Sequence, residues 1–331
     1  AETHINAKVI FLEVICNDPK IIEANIERKT LSPDYAGMDK ATAIADFRAR
    51  LSHYEKVYET VEEPDYSFIK LFDVGQQLIA NHVRGYVPCK IVFFLMNMHI
   101  IPRDIFLTRA AESHYDAEGR MGGDSLITKT GVEFKSKLKR YVIDYFKTKP
   151  NKLSESTGSE TSLQASGGGS DDTVSDDATA KARAARQLCV WTSTLRRSVQ
   201  TSSGLPCAQM LRWRALNDID RGACDGLTLE EFKTKFPDEF AARSEDKLSF
   251  RYHRGENYVD AIHRLEPVLI ELERTTLPLM IIAHEPILRC IYGYLNDLSF
   301  DEIPAIDIPM HTIIHLKPDS VGSHEQRFKL I

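Results

Sequence analysis

The sequence predicts an α/β fold in two domains, and three observations predict it. Apolar runs of strand length recur along the chain, helical stretches separate them, and the rhythm starts afresh near residue 104. Apolar runs alternating with helices are the pattern of a parallel sheet buried on both faces. At 331 residues the chain is long enough for two cores of ordinary size.

The first stretch opens on Val9–Val14 (VIFLEV), an unbroken apolar run suited to a parallel strand buried on both faces. Asp18-Pro19 starts a helix, with Asp placed to cap and Pro near the first turn. Lys40–Tyr58 reads as a longer helix, Phe68–Val74 as a strand, Gln76–Val83 as a helix and Ile91–Met98 as a strand. The second stretch begins at Asp104. Its strands are expected at Ile105–Thr108, Leu188–Thr192, Met280–His284 and Thr312–Leu316, with Met210–Ala215 as a fifth candidate. Its helices are expected at Lys129–Lys147, Ser193–Ser202, Glu256–Arg274 and Glu285–Asn296. The boundary falls near residues 99–103, dividing 1–100 from 101–331. From about 150 to 185 the chain is mostly Ser, Gly, Asp, Thr and Ala with almost no large apolar side chain, and includes Gly167-Gly168-Gly169 and Asp171-Asp172. So little apolar surface cannot offset chain entropy, and a disordered insertion is expected there. Its Ser and Thr beside acids suit regulatory phosphorylation, and an idle insertion accounts for them equally well.

Several classes are excluded. The net charge of −6 gives no reason to expect nucleic acid as a partner. No apolar run is long enough to span a bilayer, so no membrane role is expected. The opening AETHINAKVIF lacks the basic and apolar regions of a secretory signal. The six cysteines form no C-x-x-C pair and no zinc spacing, so no metal is expected and reduced thiols in the cytoplasm are the plain reading.

Three segments carry chemistry. Arg109-Ala110-Ala111-Glu112-Ser113 follows a strand and precedes Gly119-Arg120-Met121-Gly122-Gly123-Asp124. Thr192-Ser193-Thr194-Leu195-Arg196-Arg197 joins a strand to a helix, where a guanidinium suits an anion. Met280–His284 ends a strand in histidine. In this order they resemble the histidine phosphatase superfamily, whose first motif reads L-x-R-H-G-E-S. The resemblance implies that Arg109, Arg197 and His284 grip a phosphate. It also places Ala110 where the family has its nucleophilic histidine, and Ala111 where it has glycine. Asp218, in Ala215-Leu216-Asn217-Asp218, takes the place of the family's acid, usually Glu; the shorter side chain puts its reach in doubt.

The match then narrows to the bifunctional 6-phosphofructo-2-kinase/fructose-2,6-bisphosphatase family, a fungal-like member with a degenerate phosphatase and an N-terminally truncated kinase part. Phe240–Lys247, Arg251–Tyr258 and Arg264–Arg274 resemble its bisphosphatase segment. The resemblance implies that Arg243, Lys247, Tyr258 and Arg289 hold the sugar's 6-phosphate and that Gly122 lies against the substrate. Glu285 stands where the family has Gln, and Leu229 where it has a substrate tyrosine. Phe11–Pro19, Leu31–Tyr35 and Phe47–Glu55 resemble the second half of the kinase, which implies that Arg50 and Tyr54 contact fructose 6-phosphate and that Phe72–Gly75 lies near the nucleotide. The fold implied is a three-layer α/β/α histidine phosphatase (phosphoglycerate mutase-like) domain preceded by the C-terminal half of a P-loop kinase-like α/β domain.

The implied activity is control of fructose 2,6-bisphosphate. The full-length protein would be an ATP- and Mg²⁺-dependent 6-phosphofructo-2-kinase, and its phosphatase, which needs no cofactor, would be impaired at Ala110. The sequence holds no G-x-x-x-x-G-K-[ST] loop, so this chain alone is not expected to act as a kinase. The alternative is a non-catalytic sugar-phosphate-binding regulatory or dimerisation module; on either reading a homodimer is the expected assembly.

Overall fold

The computed structural model describes residues 9–30, 33–35, 37–98, 103–148, 176–319 and 322–331. Two compact units emerge: Ala1–Ile101 with Ile270–Thr276, and Pro102–Leu269 with Leu277–Ile331.

The first unit runs β1 (Phe11–Ile15), α1 (Pro19–Lys29), α2 (Lys40–Glu55), β2 (Phe68–Phe72), β3 (Gln77–Asn81) and α3 (Tyr86–Asn97). Its sheet has the order β1-β2-β3, with β1 parallel and β3 antiparallel to β2. Asp39 caps α2 by accepting from the Thr42 amide. Three expectations are corrected here. Gln76–Val83 is not a helix: the turn at Asp73–Gly75, with Asp73 and Gly75 at positive φ, reverses the chain so that Gln77 pairs with Phe72. Ile91–Met98 is not a strand but the body of α3. Pro88 fits its first turn, and Val92 and Leu95, three apart, pack toward Ile69 and Leu71. Nor is β1 buried on both faces. Leu12 and Val14 are exposed, while Glu13 turns inward to Lys70 (3.2 Å), Thr60 (2.7 Å) and Tyr58. Burial alone would raise the Glu13 carboxyl, but the bonds from Tyr58, Thr60, Lys70 and Val61 hold it at about 2.

The second unit runs β4 (Ile105–Arg109), α4 (His114–Ala117), α5 (Lys129–Thr148), α6 (Asp176–Gln187), β5 (Cys189–Thr192), α7 (Arg196–Ser202), β6 (Gln209–Arg212), α8 (Leu229–Lys235), α9 (Pro237–Glu245), α10 (Tyr258–Arg274), β7 (Leu279–Ala283), α11 (Glu285–Leu295), β8 (Thr312–Asp319) and β9 (Gly322–Lys329). The sheet order is β6-β5-β7-β4-β8-β9. The first four strands are mutually parallel, and β8 and β9 continue antiparallel. On one face Phe106, Val190, Met280 and Ile313 pack with Phe134, Leu138, Val142 and Phe146, which recur every four residues along α5. Leu107, Trp191 and Ile281, which alternate with those strand residues, are buried too, as are Leu265 and Val268 of α10 and Ile287 and Ile291 of α11.

The expected insertion needs correction at its end. Residues 149–175 lie outside the described residues, but Asp176–Gln187 is helix α6. Alanine is the strongest helix former, and Ala180 and Ala184, four apart, are buried in the core beside α5. Composition alone hid this, because two methyl groups are enough where the neighbour supplies the bulk. Strand β9, among charged residues, was not expected from the sequence.

Candidate active site

The parallel register brings the carboxyl ends of β4, β5 and β7 together. Arg109 lies opposite Ala283, and Thr192 opposite Ile282. A ligand site at the carboxyl ends of parallel strands is the rule for sheets of this kind. The Ala110 amide donates to the Ala283 carbonyl (2.8 Å) and the Ala111 amide to the Thr201 hydroxyl (2.9 Å), which fixes the loop after β4 against its neighbours.

A cavity of about 180 Å³ opens at these strand ends. Its wall includes Arg109, Ala110, Gly122, Arg197, Asp218, His284 and Glu285, all singled out from the sequence. Arg197, 6% exposed, is the organising group. Its Nε donates to His284 Nδ1 (3.1 Å), Nη1 to the Gly123 carbonyl (2.6 Å) and Nη2 to Asp218 Oδ2 (3.1 Å). His284 Nδ1 therefore accepts, and the proton of the neutral ring sits on Nε2, which meets Ser193 Oγ at 2.8 Å. Burial first, then the Arg197 charge, lowers the His284 imidazole to about 3. His284 lies at the cavity as a neutral ring with both nitrogens engaged.

Asp218 is held as a carboxylate. Burial would raise its pKa, but the Arg221 (3.7 Å) and Arg197 (3.1 Å) charges, with the Ile219 amide, bring it below the usual carboxylate range. Arg109 meets Glu285 at 3.3 Å and Asp116 at 3.9 Å. Gly122, at positive φ, passes so close to Asp225 that an added Cβ would fall 1.9 Å from Oδ1.

A second cavity, of about 150 Å³, shares Arg221, Glu285 and Pro286 with the first. It is lined by the remaining phosphatase-half residues picked out from the sequence: Arg243, Lys247, Tyr258 and Arg289. Arg289 donates to the Tyr258 hydroxyl (3.1 Å) and pairs with Glu285 (2.5 Å), one helical turn away on α11. Arg243 donates to the Tyr252 hydroxyl (2.8 Å) and Lys247 to the Pro304 carbonyl (3.1 Å). Burial, and then Arg289 and Arg243, lowers the Lys247 ammonium pKa. Leu229 opens α8, exposed, and lines neither cavity.

Arg221 escaped the sequence reading. It lines both cavities, pairs with Asp218 and donates to Tyr252 (3.1 Å). Its signal was its place three residues after Asp218, in front of a glycine. Asp116 and Arg120, also in the first cavity, were likewise not singled out. In the first unit, Arg50 and Tyr54 sit four apart on α2. Arg50 pairs with Asp46 (3.2 Å) and lies over the Tyr35 ring, and Tyr54 is exposed. Among the described residues no helix is long and apolar enough to cross a membrane.

Comparison with known proteins bears on both units. The sequence model of the histidine phosphatase superfamily (branch 1) matches residues 174–330, and that of 6-phosphofructo-2-kinase matches residues 1–102. An Escherichia coli crystal structure, provisionally named an alpha-ribazole-5'-P phosphatase, superposes with a TM-score of 0.50. It covers 69% of this chain and 96% of its own at 13% identity, a likeness of fold alone. The C-terminal sheet and its helices are thus a histidine phosphatase fold.

A 6-phosphofructo-2-kinase/fructose-2,6-bisphosphatase of Arabidopsis thaliana is 43% identical over 330 residues, 98% of this chain and 39% of that protein. Human 6-phosphofructo-2-kinase/fructose-2,6-bisphosphatase 4 is 36% identical over 321 residues, 95% of this chain and 60% of that protein. The chain belongs to the 6-phosphofructo-2-kinase/fructose-2,6-bisphosphatase family, and it spans between 39% and 60% of the length of these two relatives.

Proposed function

We propose that this chain is part of an enzyme that controls the level of fructose 2,6-bisphosphate, and that its C-terminal unit grips phosphate but turns it over slowly. One observation carries the reading: the methyl group of Ala110 forms part of a wall that also presents Arg109, Arg197 and His284. A methyl group cannot attack phosphorus. Loss of a covalent nucleophile costs roughly 10³–10⁶ in rate. The acid is compromised as well, since a carboxyl that protonates a leaving oxygen must first carry a proton. Asp218 is held ionised by Arg221 and Arg197. Arg109 and Arg197 still supply charge where a phosphate would sit, which is the part of phosphoryl transfer that survives.

For the whole protein the proposal is an ATP-dependent 6-phosphofructo-2-kinase, with Arg50 and Tyr54 toward fructose 6-phosphate, in the cytoplasm. The residues of this chain do not by themselves fit a nucleotide site. No phosphate-cradling loop is in the sequence, and Asp73 is occupied in accepting the Asn17 (2.6 Å) and Asp18 (3.2 Å) amides. ATP and Mg²⁺ belong to the whole-protein proposal. A non-catalytic sugar-phosphate module is the second reading, favoured by the cation-rich second cavity.

The test is phosphate release from fructose 2,6-bisphosphate by the purified chain and by the Ala110→His, Ala111→Gly double variant. The variant should be faster by about 10³-fold or more and should trap a phosphoenzyme. Equal rates, or a phosphoenzyme on the unaltered chain, would overturn the first reading.

A further inference from the structure

The two adjoining cavities differ in how far the protein has already neutralised them. In the first, four arginines face three carboxylates: Asp116, Asp218 and Glu285. Every one of those arginines has a carboxylate within 4 Å. Arg109 has Glu285 and Asp116, Arg197 and Arg221 have Asp218, and Arg120 has Glu118 and Glu231. The carboxylates are fixed as well. Asp116 is locked in the capping box of α4, accepting from the Ser113 amide (2.9 Å) and hydroxyl (2.5 Å). Glu285 opens α11 and divides its oxygens, Oε2 to Arg109 (3.3 Å) and Oε1 to Arg289 (2.5 Å).

In the second cavity Arg221, Arg243, Lys247 and Arg289 face Glu285, the one lining carboxylate among the described residues. Arg243 and Lys247 reach a neutral hydroxyl and a carbonyl, and neither is ion-paired among the described residues. Burial lowers the Lys247 pKa first, and the neighbouring Arg289 and Arg243 charges lower it further.

We infer that Glu285, with Asp116, is a built-in counter-ion that makes this site selective for sugar monophosphates over bisphosphates. A phosphomonoester enters the second cavity, where cations are in excess. A second phosphate, directed at Arg109 beside Ala110, meets Glu285 and Asp116 already in place. It gains little, because like charges brought together offset the arginine contacts. This deepens the proposed function and rests on it, since it assumes that the unit binds sugar phosphates.

Calorimetry on the full chain tests it with fructose 6-phosphate and fructose 2,6-bisphosphate as separate ligands. The unaltered chain should bind fructose 6-phosphate more tightly than fructose 2,6-bisphosphate. Glu285→Gln alone, and with Asp116→Asn, should tighten the bisphosphate relative to the monophosphate by about tenfold or more. Near-ultraviolet circular dichroism reports whether each variant is folded, and the single variant stands if the double one is not. Arg243→Ala should remove the heat of both ligands. Equal affinities, or any preference for the bisphosphate in the unaltered chain, overturn the inference and leave the proposed function standing. So does an unchanged ratio in folded Glu285→Gln, or monophosphate heat that survives Arg243→Ala. Failure of the folded chain to bind either ligand removes both.

Discussion

Acidification should destabilise the C-terminal unit through one identifiable proton. Folded His284 stays neutral down to about pH 3, against 6.5 for an ordinary histidine. The unfolded chain takes up that proton as pH falls below 6.5, and the folded chain does not. Unfolding therefore binds a proton in this window. The stabilisation is complete above pH 6.5 and is lost progressively as pH drops toward 3. One proton corresponds to about 1.4 kcal/mol per pH unit, so the loss between pH 6 and pH 4 is about 2–3 kcal/mol. At 4% exposure, solvent screening does little to reduce it. Urea unfolding at pH 7, 6, 5 and 4 measures it through the chain's two tryptophans, Trp191 and Trp213, whose rings lie 5.8 Å apart. Other carboxylates and histidines titrate too, so the decisive quantity is a difference. His284→Asn keeps a hydrogen-bonding side chain but gains no proton. Its stability should fall less steeply than that of the unaltered chain, by about 2 kcal/mol over the same two units. Identical pH slopes would refute the neutral, doubly engaged imidazole.

Two further substitutions test how the site is held. Arg197→Ala removes the partner of His284 Nδ1, of the Gly123 carbonyl and of Asp218 at once. Because it strands buried polar groups, it should cost about 3–5 kcal/mol in urea unfolding, and a loss below about 1 kcal/mol would contradict the buried network. Gly222→Ala should lower Tm and cost more than about 2 kcal/mol. Gly222 sits at φ +52°, and the added Cβ would lie 2.1 Å from the His253 carbonyl oxygen and 2.7 Å from the Arg254 carbonyl carbon. A neutral outcome would show that the turn presenting Arg221 is looser than described.

The C-terminal unit was largely legible in the sequence because its strands are buried on both faces. Such strands carry continuous apolar runs, as 105–107, 189–191 and Leu279–Ala283 do. Arg109, Arg197, Arg243, Lys247 and Arg289 were legible through the short motifs that carry them. Three kinds of feature were not. Residues 91–98 are apolar enough for either a strand or a helix, and only their packing beside β2 decides. Strand β9 is polar because it is the outermost strand of the sheet, so the apolar signal is missing where pairing alone makes the strand. Arg221 and Asp116 carry no motif at all. They matter because the turn at Gly222 and the capping box at Ser113 aim them, and such aim is a property of the folded backbone.

The state of the two cavities bears on why a site without its nucleophile keeps its arginines. A catalytic anion site ordinarily leaves cations short of partners in the free protein, and that costs stability. Around Ala110 this cost is small. Arg197 has His284, two carbonyls and Asp218, and Arg109 has Glu285 and Asp116. The cations there now act as structural partners of carboxylates, and removing one would strand the other. In the neighbouring cavity the cost persists, because Lys247 is partly buried beside Arg243 and Arg289 without an ion pair among the described residues. A protein that had no further use for an anion could relieve this with a single Lys→Met or Arg→Gln change. On the proposed function, the unrelieved cluster of the second cavity is where a sugar phosphate gains most, next to a first cavity whose arginines already have carboxylate partners.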